Sequence, residues 1–117
     1  MEAKELRLGN LIYNGIREVF KVNAMTIGYF DISQATLGAF KPIPLTEEWL
    51  IKFGFEKNVR YGVEFTKYCK YKNFNIEVSV YLLDGKYVTG DDFEINYVHQ
   101  LQSLYYALTG EELTINQ

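Results

Sequence analysis

Between Phe74 and Leu82, apolar and polar residues alternate without a break: Phe74, Ile76, Val78, Val80 and Leu82 against Asn75, Glu77, Ser79 and Tyr81. A period of two sends the first set to one face of a β-strand and the second set to the other. Asp84-Gly85 follows, a pair that tolerates the positive φ angles of a two-residue hairpin turn, so the chain is expected to return through Lys86–Thr89. Upstream, Tyr61, Val63 and Phe65 alternate with Gly62, Glu64 and Thr66 in the same way. Three antiparallel strands with one apolar face need an apolar cover to be stable in water.

The cover is expected from a helix over Tyr97–Thr109, ended by Gly110. At about 100° per residue, Tyr97, Val98, Leu101, Leu104, Tyr105 and Leu108 fall on one core-facing arc, with His99, Gln102, Ser103 and Tyr106 opposite. A shorter helix is signed at both ends. Thr46 is a suitable N-cap, Glu47 and Glu48 sit at the positive end of the dipole, and Gly54 suits the left-handed position after the last turn. Trp49, Leu50 and Phe53 share its apolar face.

The N-terminal third also reads as β. Asn14-Gly15 between Leu11–Tyr13 and Ile16–Val22 is a hairpin signal, with Phe20, Val22 and Ala24 on one face. A third strand is expected over Ile27–Ile32, with Gly28 at a bulge or bend. Small SH3-like barrels are built from such a curled antiparallel unit. The expected class is therefore α+β: an N-terminal curled β unit, a short linking helix, and an antiparallel β-meander covered by a C-terminal helix.

The 117 residues suit one domain, subdivided at Pro42 and Pro44 into 1–41 and 42–117. With 48% hydrophobic residues and a net charge of only −3, disorder is excluded. The longest apolar run, Leu104–Leu108, is five residues, far short of the roughly 20 of a membrane-spanning helix. The start, Met1-Glu-Ala-Lys-Glu, has no apolar stretch behind it, so no signal peptide is expected. The single cysteine, Cys69, fits a reducing cytoplasm.

Two segments, Lys41-Pro-Ile-Pro-Leu-Thr-Glu-Glu-Trp-Leu-Ile-Lys-Phe-Gly-Phe and Tyr97-Val-His-Gln-Leu-Gln-Ser-Leu-Tyr-Tyr-Ala-Leu-Thr-Gly-Glu-Glu-Leu, resemble a family of small uncharacterised proteins of gut bacteria and their phages or mobile elements. A Leu-Arg-Leu-Gly-Asn-like start, present here as Leu6–Asn10, is common in that family. The resemblance implies a cytoplasmic, bacterial or phage-encoded accessory protein. It brings no activity and no site residue with it.

Motifs for chemistry are sparse. His99 and Ser103 stand at i, i+4 and can touch, yet no strained nucleophile turn or oxyanion donor accompanies them. Cys69 has Lys67, Lys70 and Lys72 nearby but no second cysteine or histidine partner. Asp91, Asp92 and Glu94 are the densest carboxylates and lack the calcium-loop pattern; one histidine and one cysteine cannot build a zinc site. Gly85-Lys86 lacks the glycine and hydroxyl of a phosphate loop, with Val80 and Tyr87 in those places. No catalytic, metal-binding or cofactor-binding residue is expected, and the chain is read as a non-enzyme.

Charge and aromatic content say more. Lys57, Arg60, Lys67, Lys70 and Lys72 interleave with Tyr61, Phe65, Tyr68 and Tyr71, while Glu64 is the one acid between 57 and 72. Cations neutralise phosphates and rings stack on unpaired bases, so Lys57, Arg60, Lys67, Tyr68, Lys70, Tyr71 and Lys72 form a candidate nucleic-acid contact. From Asp84 to Glu112 the balance reverses, with six acids against Lys86, and the pI near 5.2 argues against a dedicated nucleic-acid binder. The uncharged stripe His99, Gln102, Ser103 and Tyr106 has the charge depletion and aromatic anchor of an interface. The leading expectation is a non-enzymatic protein-binding or adaptor module, through an unknown protein partner or self-association and without a membrane. The alternative is a small nucleic-acid-binding protein using 57–72.

Overall fold

The alternating run forms the longest strand of the structure, a computed structural model that describes residues 7–14, 18–22, 41–59, 62–71, 74–90 and 93–115. The strands are β1 (Leu11–Tyr13), β2 (Val19–Lys21), β3 (Glu56–Val59), β4 (Val63–Tyr71), β5 (Phe74–Leu83), β6 (Lys86–Val88) and β7 (Glu94–Ile95). The helices are α1 (Glu47–Lys52) and α2 (Val98–Thr109). Two units share them: Met1–Pro44 with Tyr97–Ser103, and Leu45–Asn96 with Leu104–Gln117. The division thus falls just after the second proline, and the first half of α2 is grouped with the N-terminal segment. The class is α+β. No helix among the described residues is long and apolar enough to cross a membrane.

In the N-terminal unit β1 and β2 pair antiparallel, with Ile12 opposite Phe20. Asn14 donates its backbone N–H to the Glu18 carbonyl at 2.9 Å, and its side-chain Oδ1 accepts from the Glu18 N–H at 2.9 Å. These two hydrogen bonds close the β1–β2 pair at Asn14 and Glu18, and the expected Asn14-Gly15 turn falls on residues 15–17, outside the described residues. Tyr13 and Lys41 exchange backbone hydrogen bonds of 2.8 and 3.0 Å, and Val98 donates to the Ile43 carbonyl at 2.8 Å. Ile12, Val22, Ile43, Val98 and Leu101 are buried. Among the described residues this unit holds a two-stranded sheet, and no closed barrel is shown. The strand expected over Ile27–Ile32 lies outside the described residues.

The second unit holds a five-stranded antiparallel meander in the order β3-β4-β5-β6-β7. The register places Phe65 opposite Val80, Lys67 opposite Val78 and Cys69 opposite Ile76, so these side chains share one face. Tyr87 and Ile95 continue that face through β6 and β7. Phe65, Cys69, Val78, Val80 and Ile95 on it are buried, whereas Tyr68, Lys70, Asn75 and Glu77 on the other face are exposed. The C-terminal half of α2 and the segment after it lie over the covered face: Cys69 Sγ donates to Glu111 Oε2 at 3.3 Å, and Lys67 Nζ stands 6.0 Å from the Tyr105 ring centre. Asp84 and Gly85 both take positive φ, 50° and 79°, as a tight hairpin turn requires.

Helix α1 follows its signals. Thr46 Oγ1 accepts the Trp49 N–H at 3.4 Å, Gly54 has φ 90°, and Trp49, Leu50 and Phe53 are buried. Helix α2 is rotated from its expected arc. Val98, Leu101 and Tyr105 are buried as expected, but Leu108 is 50% exposed, while His99, Gln102 and Thr109, expected outside or at the end, are enclosed. The reason is polar. Gln102 Oε1 accepts the Leu11 N–H at 2.7 Å and its Nε2 donates to the Gly9 carbonyl at 3.2 Å, so a polar side chain is buried because it satisfies two backbone groups.

Candidate binding surface

The sequence-derived interface stripe does not form one surface. His99 is 2% exposed and its ring stacks on Tyr97 at 5.8 Å, and Gln102 is 1% exposed and spent on the N-terminal segment. Ser103 Oγ accepts from Arg7 Nε at 3.4 Å, and the same guanidinium donates to the Gln102 carbonyl at 3.1 Å. Of the four residues only Tyr106, at 44%, is exposed. Two of the four residues are thus enclosed, so the stripe is not a continuous exposed face; Gln102 is drawn inward by the backbone groups it satisfies.

The basic and aromatic segment is likewise divided. Lys57 is ion-paired with Glu47 at 2.6 Å, and Lys67 donates to the Phe53 carbonyl at 2.7 Å on the covered face of the sheet. Tyr68 and Lys70 project from the opposite face, where Tyr68 is cross-strand from Glu77. Arg60 and Lys72 lie outside the described residues, and Tyr71 is placed by its backbone in β4. A backbone-tracking groove needs its cations along one line. Four of the residues therefore split between two faces, and two of those already have partners.

Cys69 is 4% exposed and works as a hydrogen-bond donor inside the second unit. Beside it, burial, the hydrogen bond and charge of Cys69, and the Glu111 carboxylate push the Tyr105 phenol up to about 12. Burial and the Glu47 carboxylate raise the Tyr87 phenol, partly offset by a backbone hydrogen bond from Glu47 and by Lys57. Both phenols stay protonated at neutral pH and act as neutral packing groups. Of the carboxylate group, Glu94 is exposed in β7, and Asp91 and Asp92 lie outside the described residues. Among the described residues no three metal-ligating side chains come together.

A groove in the second unit was not singled out from the sequence. Strand β5 pairs with β4 along nearly its whole length, but with β6 only over Tyr81–Leu83. After Val88 the chain turns off, held by Thr89 N–H donating to the Phe93 carbonyl at 2.9 Å and by Thr89 Oγ1 accepting the Phe93 N–H at 3.2 Å. No described residue pairs with the other edge of β5 from Phe74 to Val80. A groove of about 310 Å³ runs there, lined by Glu77, Ser79, Gly90, Phe93, Leu104 and Leu108, at the low end of ligand-pocket sizes. Phe93 is 69% exposed and Leu108 50%, an apolar outlay that folding of this unit does not recover.

The other edges are guarded. Strand β3 carries Glu56 and Lys57 and is only four residues long, and β7 has two. Short, charged edges discourage pairing with other chains. Strand β5 has neither protection over its free half, apart from Glu77. The signal for this in the sequence is a mismatch of lengths: ten residues in β5 against three in β6, which hydropathy does not register.

Comparison of the chain with protein-family models, with curated proteins and with solved structures finds no match.

Proposed function

We propose that this chain is a non-enzymatic protein-binding module, an adaptor whose partner docks in the groove along the free edge of β5. The observation that carries the reading is the coincidence of a strand edge that no described residue pairs with and the exposed side chains Phe93 and Leu108. Unpaired backbone groups supply directional hydrogen bonds, and neighbouring apolar side chains supply the hydrophobic term of an interface. A cytoplasmic accessory role in a bacterium or its phage completes the proposal, supported by the family resemblance of 41–55 and 97–113.

Affinity capture from a native host extract tests it, with wild type beside a Phe93→Ser, Leu108→Ser double variant. Both side chains are exposed, so the variant is expected to melt close to wild type while losing proteins that wild type retains. An identical protein set on both baits would reject the groove. Nuclease-sensitive material alone on the wild-type bait would favour the nucleic-acid alternative.

A further inference from the structure

We infer that the groove accepts an extended segment of another protein, added as a strand to β5, in which apolar and basic side chains alternate; this rests on the docking reading above. The backbone fixes the mode. A two-residue turn at Asp84-Gly85 makes Leu83 and Lys86 its hydrogen-bonded closing pair, so Leu83 and Tyr81 direct their N–H and C=O toward β6. By the same parity Ser79, Glu77 and Asn75 direct theirs to the same side, beyond the end of β6. A strand laid there is met by evenly spaced donors and acceptors over roughly 17 Å, at about 3.4 Å per residue.

The side chains of the incoming strand then face two environments. On the covered side of the sheet are Val78 and the helix residues Leu104 and Leu108; on the open side are Glu77, Ser79 and Tyr81. Alternation of the ligand follows from alternation of the pleat. The charge selects the sign. Among the described residues that line the groove Glu77 is the one charged side chain, and it carries a negative charge. A basic segment is attracted and an acidic one repelled. A second copy is disfavoured on the same ground. Symmetric pairing of two β5 edges brings Glu77 close to its own counterpart, and no Lys or Arg occurs between 74 and 83 to compensate.

The probe is a capped peptide of about seven residues alternating Lys and Val, long enough to cover the free edge. Its binding to the full chain is read by fluorescence anisotropy, beside a Glu–Val peptide of equal length. Wild type is expected to bind the Lys–Val peptide at least about tenfold tighter, the scale of one favourable charged contact. Glu77→Lys is expected to reverse the preference. Ser79→Pro is expected to abolish binding, since it removes an N–H from the free edge without touching the ladder to β4. A peptide N-methylated on alternate residues makes the same test without altering the protein. Equal binding of both peptides, an unchanged preference in Glu77→Lys, or unaffected binding by both Ser79→Pro and the N-methylated peptide would overturn the inference. So would a dimer of wild type that Ser79→Pro converts to monomer. If any of these occurs while host capture still depends on Phe93 and Leu108, only the inferred ligand falls; if capture is also independent of them, the docking site falls with it.

Discussion

Phe65→Ala is expected to cost about 3–5 kcal/mol of folding stability, the range for removing a buried aromatic ring. Phe65 is fully buried, stands opposite Val80 on the covered face, and its ring centre lies 6.2 Å from that of Tyr87. Nothing small replaces that volume, because both neighbouring strands are held by the sheet ladder. Phe93→Ala deletes the same atoms from a ring that is 69% exposed, and is expected to change stability by no more than about 0.5 kcal/mol. Urea denaturation of both variants gives the comparison. Equal losses would mean that the covered face of the meander is assigned to the wrong side.

The second large effect is polar. Gln102→Leu keeps the size of the side chain but removes the acceptor for the Leu11 N–H and the donor to the Gly9 carbonyl. Each backbone group left unsatisfied away from water costs about 1–3 kcal/mol, so the pair is expected to cost about 2–4 kcal/mol, with some recovery by water at the half-buried segment. Gln102→Glu retains the acceptor but sets a buried carboxylate against the Gly9 carbonyl, and at neutral pH is expected to melt below wild type as well. Thermal melts rank the three proteins. A Gln102→Leu variant as stable as wild type would mean that Gln102 is a solvent-facing residue, as its hydropathy alone suggests.

These two residues mark what is legible in such a sequence. Phe65 and the strand opposite it are visible because burial on a sheet leaves a period of two, and Asp84-Gly85 is visible because few residue pairs adopt positive φ twice. Helix α1 is visible through its caps. Gln102 is not, because its burial depends on two backbone groups 91 and 93 residues away in sequence. The rotation of α2 that exposes Leu108 is hidden for the same reason. Strand β3 is missed because an exposed edge of Glu56, Lys57, Asn58 and Val59 has no apolar face to repeat. Lys57 and Lys67 look like free cations until Glu47 and the Phe53 carbonyl are found beside them. The candidate groove is legible only as the mismatch in length between β5 and the short return strand β6, since a strand edge leaves no hydropathy pattern of its own.

The open edge of β5 carries the functional account, and native-state amide hydrogen exchange of the protein alone reads it residue by residue. Ile76, Val78 and Val80 direct their N–H groups to β4, while Asn75, Glu77 and Ser79 direct theirs to the free side. The expected result is an alternation along one strand, with slow exchange at 76, 78 and 80 and fast exchange at 75, 77 and 79. Uniformly slow exchange from Asn75 to Val80 would show that the edge is already covered, and would contradict the account.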